Sequence, residues 1–510
     1  MLQKKILKNK SYFLYPFYFN TEKCSGAKIN LIKSLENVKL GDVLDNLKFS
    51  KSLNDQIKKK KENLNIKLWK KNELKVSGDL YPHIQKIFNE TEKTGDGIFS
   101  AYPALKINDN AKLKTLFQGA WGGSKGGGLE VKLTKSSLTR LKIKTKKSVW
   151  TPFLINTISV QLFGTGVGIA TIELEVLPNV GTDKDSLVTS SQIIETTNNL
   201  TRLKDKAPDI RWVGEYQEDS NFKLEDLLYN TIPFFKKNQE CQLLFDNRVF
   251  TYTAVEISDN AISDLEKIEL AYRLSVQHTE DYLPELAEMK KTIYQPFKNI
   301  THVSSIMGGG VLVNTSDIKE RSVSFLDNYL SNSVPTVYWP LTLLAYQEYQ
   351  MLIKLSQETY LVVDFNELKY DHLSKLEEFQ MKFLDFRLNY RFSHASKIGM
   401  HNAVYGMWRK ALSLNIIMKE LKDDVQEVSN YLEIKLQEKE EERINKLNKN
   451  LSILGVFFGV IIAITSSIGM SFKILDGINF FSKVSFVTFG GVILMATLFT
   501  FIYTKIIDKK

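Results

Sequence analysis

Two uncharged stretches close the chain. Residues 451–472 read LSILGVFFGVIIAITSSIGMSF and residues 484–504 read VSFVTFGGVILMATLFTFIYT. At ~1.5 Å rise per residue either one, built as a helix, crosses a ~30 Å hydrocarbon core. The pattern predicts a two-helix transmembrane hairpin, residues 451–472 and 484–504, joined by a short external loop at 473–483. Upstream the pattern is different. Tyr12–Phe19 is an aromatic-rich strand candidate, and residues 76–180 read mostly as β. Phe153–Phe163 and Ile169–Val176 are apolar, β-branched runs on either side of Gly164-Thr-Gly-Val-Gly168, which predicts a hairpin. Residues 180–330 mix helix-like stretches (Phe222–Tyr229, Ile262–Tyr272) with strand-like ones (Arg248–Ile257, Met307–Val313). From Leu341 the pattern is helical: Leu341–Gln357, Phe365–Tyr390, then from about Val404 into the first span.

In that last helix Leu414, Met418, Leu421, Val425, Val428, Leu432 and Leu436 recur at spacings of four and three. This is the seam of a helix that packs along its length, and we expect it to hold a homo-oligomer together. No proline or glycine separates it from Leu451, so one helix is expected to run unbroken into the membrane. By its spacing, a stripe of small and polar residues is then expected to prolong the seam: Asn445, Asn448, Ser452, Gly455, Gly459, Ile462 or Ala463, and Ser466. Such a stripe packs helices tightly or lines a pore. Two spans cannot enclose a pore, so the second reading requires an oligomer with the first span innermost.

The expected fold class is an α+β cytoplasmic domain (1–335), a helical region with a long stalk helix (336–450), the transmembrane hairpin and a basic tail (505–510). Lysines and arginines flank the spans unevenly. Lys435, Lys439, Arg443, Lys446 and Lys449 precede the first, Lys505, Lys509 and Lys510 follow the second, and the loop has only Lys473 and Lys483. The positive-inside rule therefore puts both termini in the cytoplasm of a multi-pass protein of the cell membrane. The start of the chain lacks the features of a signal peptide: its apolar run is short, contains Pro16 and leads to no small-residue cleavage site. Two cysteines, Cys24 and Cys241, allow one bridge at most and suit a reducing compartment.

Charge is concentrated as well. The net charge is +10 over 510 residues, yet Lys112–Lys147 holds ten basic residues and one acid, Glu130. So local an excess suggests one anionic ligand rather than diffuse nucleic-acid binding. Trp121-Gly-Gly-Ser-Lys-Gly-Gly-Gly128 lies inside it. Its glycines let backbone amides approach a phosphate, but the spacing is not that of a Walker loop. Trp121, Lys125, Arg140, Lys142 and Lys144 are the candidate residues for a nucleotide, with Trp121 stacking on a base. A second run, Gly308-Gly-Gly310, reads as a tight turn or a ligand loop. His394 and His401, seven apart, could share a helix face, but nothing completes a metal set. No paired-carboxylate or HxxxH pattern occurs, and no catalytic residues, enzyme activity, metal site or resident cofactor are expected.

The layout of long cytoplasmic helix, first span, short loop, second span and basic tail resembles the CorA family of cation channels over residues 400–510. That family ends its first span with Gly-Met-Asn; here the end reads Gly469-Met470-Ser471. The resemblance implies a pentamer conducting divalent cations, magnesium foremost. It places Gly469, Met470 and Ser471 in the pore with Gly459, Asn448 and Asn445. Ser471 stands in place of the family's asparagine, the acidic loop motif is missing and Lys473 stands near that mouth. Mg²⁺ keeps its waters and needs outer oxygen acceptors, so a less selective pore is expected. The soluble part is larger than ordinary members carry. Its hairpin Val160–Val176 and helix entry Tyr338–Glu358 resemble the CorA-like membrane effectors found beside type III CRISPR systems. That resemblance implies a channel opened by a nucleotide second messenger in antiviral defence. The alternatives are a housekeeping divalent-cation transporter and a membrane-anchored binding scaffold.

Overall fold

The computed structural model describes residues 4–19, 31–39 except 32, 69–72, 76–88, 100–103, 140–144, 150–178, 187–203, 210–212, 223–235, 242–243, 248–279, 283–316, 325–362 except 327, 371–474 and 491. The strands are β1 (Lys5–Tyr18), β2 (Trp69–Asn72), β3 (Ser100–Pro103), β4 (Arg140–Lys144), β5 (Trp150–Leu162), β6 (Val167–Val176), β7 (Val188–Thr189), β8 (Ile210–Trp212), β9 (Gln242–Leu243), β10 (Phe250–Ile257), β11 (Ile293–Phe297), β12 (Ile300–Ser305) and β13 (Gly308–Asn314). The helices used below are α1 (Pro82–Phe88), α2 (Ser190–Leu200), α3 (Leu224–Thr231), α4 (Asp264–Val276), α5 (Leu286–Lys291), α6 (Trp339–Val362), α7 (Asp371–Asn389), α8 (Gly399–Ala411) and α9 (Leu414–Ile474). A ten-residue π-helix, Tyr329–Tyr338, leads directly into α6.

All the strands join one sheet, ordered β11-β12-β13-β10-β1-β6-β5-β3-β2, with β4 also on β5 and β8 on β4. Pairing is antiparallel except between β10 and β13. Strand β1 explains the run SYFLYPFYF. Its alternate residues Phe13, Tyr15 and Phe17 enter one core, while Tyr12 and Leu14 enter the other. A strand covered on both faces needs apolar side chains at every position. Pro16 is tolerated where the β10 ladder has already ended, at Leu14 opposite Phe250. The predicted hairpin is present: β5 and β6 are joined at Phe163–Gly166, closed by Phe163 N–H to the Val167 carbonyl at 2.9 Å. Gly166 takes φ +81°, a conformation that suits glycine.

Helices cover both faces. Ile193 and Ile194 of α2, Leu224, Leu227 and Leu228 of α3, and Leu270 and Leu274 of α4 close the first core. Capping boxes start two of these helices, with Thr189 and Gln192 on α2 and Ser263 and Glu266 on α4. The second core is closed by the π-helix, α6, α7, α8 and the root of α9. Trp339, Leu341, Leu344 and Leu355 share it with Tyr252, Val311 and Val313 of the sheet. The helices from Trp339 to the root of α9 thus share a core with the sheet. The chain forms two compact units, Met1–Val425 and Gln426–Lys510. The first is an α+β sheet domain; the described part of the second is the remainder of α9 to Ile474, together with Gly491.

Three expectations are corrected. Gly308–Gly310 is neither a turn nor a ligand loop but the start of β13, between β10 and β12; the turn is Ile306–Met307. Its glycines permit close approach. A Cβ on Gly309 would meet the Val303 carbonyl and the Trp408 ring, and one on Gly310 would meet the Thr253 carbonyl. The Gly309→Ala variant should lose about 1–3 kcal/mol through overpacking, read as a lower thermal midpoint with altered tryptophan emission. Secondly, the helix expected from Val404 into the membrane breaks at Leu412–Ser413, where Ser413 adopts φ +53°. Thirdly, His394 precedes α8 and His401 lies within it, so they share no helix face.

Candidate functional site

Helix α9 spans 61 residues without interruption. The continuity expected through Asn445–Asn450 is present, because nothing there removes an i→i−4 hydrogen bond. It is the one described helix long and apolar enough to cross a membrane: its apolar 18-residue window has mean hydropathy 1.8 and none of that window is buried in the chain. The second span (484–504, of which only Gly491 is described), nearly all of the loop 473–483, and the tail 505–510 lie outside the described residues.

Asn445, Asn448, Ser452, Gly455, Gly459, Ile462 and Ser466 are all exposed on α9. A Cβ added to Gly455 or Gly459 would meet nothing within 4 Å. The glycines therefore do not accommodate any described part of their own subunit, and the stripe is open to another copy or to a conduit. Gly469, Met470 and Ser471 fall on the same helix, with side chains outside the description.

The first half of the apolar seam packs within its own chain. Leu414, Met418, Leu421 and Val425 are buried in the second core of their own chain, so that part of the seam is already used within the subunit. Nor does the stripe prolong it. At about 100° per residue, the 20 positions from Val425 to Asn445 add about 200° beyond whole turns, which puts the two on nearly opposite faces of the helix.

A buried ionic network holds the root of α9, and sequence reasoning missed it. Glu348, at the middle of α6, is 0% exposed. Its Oε1 lies 3.3 Å from an Arg409 guanidinium nitrogen and 3.6 Å from Arg391 Nε, and its Oε2 accepts from the Tyr405 hydroxyl at 3.2 Å. Arg391 and Arg409 each donate to the side-chain oxygen of Asn415, in the first turn of α9, at 3.1 Å. Arg409 also donates to the Phe392 carbonyl. The network thus joins α6, the segment after α7, α8 and the first turn of α9. Burial pushes the Glu348 carboxyl up to about 7, while the two guanidiniums and the Tyr405 hydroxyl pull it back. One sequence signal could have found it: Leu344, Met351, Leu352 and Leu355 surround Glu348 at helical spacing, so an acid sits on an apolar stripe.

A second polar cluster lies between β12, the π-helix and α8. His302 Nε2 is 2.9 Å from the Tyr329 hydroxyl, and His401 Nδ1 is 3.1 Å from Ser396 Oγ. Burial lowers the His302 imidazole to about 3 and keeps it neutral, so this cluster is a hydrogen-bonded part of the core. Among the described residues no three His, Cys, Asp or Glu side chains are placed to hold a metal ion.

Of the candidate nucleotide residues, Arg140, Lys142 and Lys144 are the alternate positions of β4, and Trp121 and Lys125 lie outside the described residues. No protein family, curated protein or solved structure matches the chain.

Proposed function

We propose that this chain is the subunit of a homo-oligomeric, CorA-like membrane channel whose soluble domain answers a phosphate-bearing ligand. The observation that supports it is the single helix α9, rooted by Leu414–Val425 in the sheet domain and carrying an uncovered stripe of amide, hydroxyl and glycine positions along an apolar segment. Two spans cannot enclose water, so several copies surround the conduit with this stripe innermost; the family resemblance implies five. Asn445, Asn448, Ser452 and Ser466 supply oxygen acceptors suited to hydrated cations. A two-span hairpin would put both termini on one side, and the lysine and arginine asymmetry around the spans supports the cytoplasm as that side. The resemblance to type III CRISPR-associated effectors suggests a nucleotide messenger as the ligand and ion leakage during infection as the outcome.

Purified protein in liposomes tests this. The expected result is cation flux above that of empty vesicles, rising when a nucleotide is added to the face bearing the soluble domain. Flux that ignores nucleotides would favour a housekeeping divalent-cation transporter. No flux from a correctly inserted protein would favour a membrane-anchored scaffold.

A further inference from the structure

Strand register places a cationic patch and an aromatic position on one face of the sheet. Directly opposed residues on neighbouring strands share a face, as do alternate residues of one strand. Arg140, Lys142 and Lys144 therefore occupy the same face of β4. On β8, Arg211 is opposite Lys142. On β5, Trp150 is opposite Lys144 and Pro152 is opposite Lys142. Like charges directly opposed weaken a ladder by a fraction of a kcal/mol up to about 1, and here two more cations flank the pair. The nearest acid that the register puts on this face is Glu175, opposite Leu154 and two strands from β4. Glu173 is already paired with Lys10 at 3.3 Å. The positions that the register opposes to Arg140, Lys142 and Lys144 are Leu154, Pro152, Trp150 and Arg211, none of them an acid.

We propose that this face of β8, β4 and the start of β5 binds a small ligand carrying two or more phosphates and an aromatic base, with Arg140, Lys142, Lys144 and Arg211 as phosphate positions and Trp150 as the base-stacking position. It deepens the ligand half of the function proposed above and does not depend on ion conduction. The patch is short. Five residues of β4 span about 13–16 Å, and β8 lies about 4.8 Å away. That matches a nucleotide better than a track for extended nucleic acid, and the charge of the chain outside residues 112–147 is nearly balanced. The register puts Trp150 at the position opposite Lys144, whereas Trp121 lies outside the described residues.

The test is calorimetry on the full-length chain in detergent micelles with four probes: ATP, inorganic triphosphate, adenosine and a short single-stranded DNA. The proposal expects ATP to bind, triphosphate to bind more weakly and adenosine not to bind. The Lys142→Gln/Arg211→Gln variant should lose more than about tenfold in affinity for ATP and triphosphate alike, since each loses charge-assisted hydrogen bonds. Trp150→Ala should weaken ATP by about tenfold and leave triphosphate unchanged, because only stacking is lost. ATP should raise the thermal midpoint of the native chain and not that of the double variant. A double variant that keeps its midpoint without ligand and binds ATP as the native chain does overturns the proposal. So does a native chain that binds neither ATP nor triphosphate, or one that prefers the DNA. Tight ATP binding by a chain that passes no ions would overturn the channel and leave this site standing.

Discussion

Arg409→Met should cost about 3–5 kcal/mol at pH 8, the loss expected when one member of a buried ion pair is removed, and markedly less at pH 5. The reason is Glu348. Fully buried, it relies on Arg409, Arg391 and the Tyr405 hydroxyl to remain ionised. Its carboxyl titrates at about 7 in the folded chain, against 4.5 ordinarily. A raised carboxylate binds more protons folded than unfolded between those values. Its stabilisation is therefore complete below about 4.5 and is lost as pH rises through about 7. Below neutrality the Arg409→Met variant can protonate Glu348; above neutrality it must bury a carboxylate with one guanidinium fewer. Urea midpoints of both proteins in detergent at the two pH values give the comparison. A cost that is the same at pH 5 and pH 8 would mean that Glu348 is not the group in question. Because Arg391 and Arg409 also hold Asn415, the variant should loosen the root of α9, and amide exchange in residues 414–418 should quicken at pH 8 first.

That network shows where sequence reading stops. Elements whose signal is local are legible: the β5–β6 hairpin from Gly164–Gly168, α6 from its apolar pattern, and α9 through the membrane segment from the absence of breakers. What fails depends on partners far away in the chain. The heptad from Leu414 to Leu436 has the spacing of an intersubunit seam, yet a helix laid on its own sheet domain has the same spacing. Only the fold shows that Leu414–Val425 are spent inside the subunit. Gly308–Gly310 reads as a turn or ligand loop by its glycines although Met307–Val313 also reads as a strand; the strand reading holds, and the glycines let Trp408 and the neighbouring strands approach a buried ladder. The break at Ser413 has no glycine or proline to announce it. The polar stripe keeps its own spacing of three and four, and the error lies in joining it to the seam across residues 436–445, where the helical phase is lost by eye but not by arithmetic. For the candidate ligand residues the sequence supplies the charge, and register supplies the arrangement: which cations share a face and which tryptophan lies beside them.

Gly459→Leu should bring cation flux to the level of empty liposomes, while Val460→Leu should leave it within about twofold of the native chain. The two positions are adjacent and differ by about 100° around α9. Within the subunit Gly459 meets nothing that a side chain would disturb, and leucine is the better helix former by roughly 1 kcal/mol, so the variant should fold and insert. In an oligomer with the stripe innermost, each copy adds an isobutyl group at the same depth. The groups converge on the axis, narrowing the conduit and replacing a polar wall by an apolar one. Val460 is already large and apolar, and its replacement adds a single methylene away from that axis. The packing alternative predicts something else. If Gly455 and Gly459 let two helices touch in the manner of small residues spaced by four, leucine at 459 would push the helices apart. Flux would then be lost together with the assembly, seen as a smaller particle by light scattering in detergent. Lost flux with an intact particle assigns the stripe to the conduit. Lost flux with a dissociated particle assigns it to the contact, and unchanged flux removes residues 445–466 from both roles.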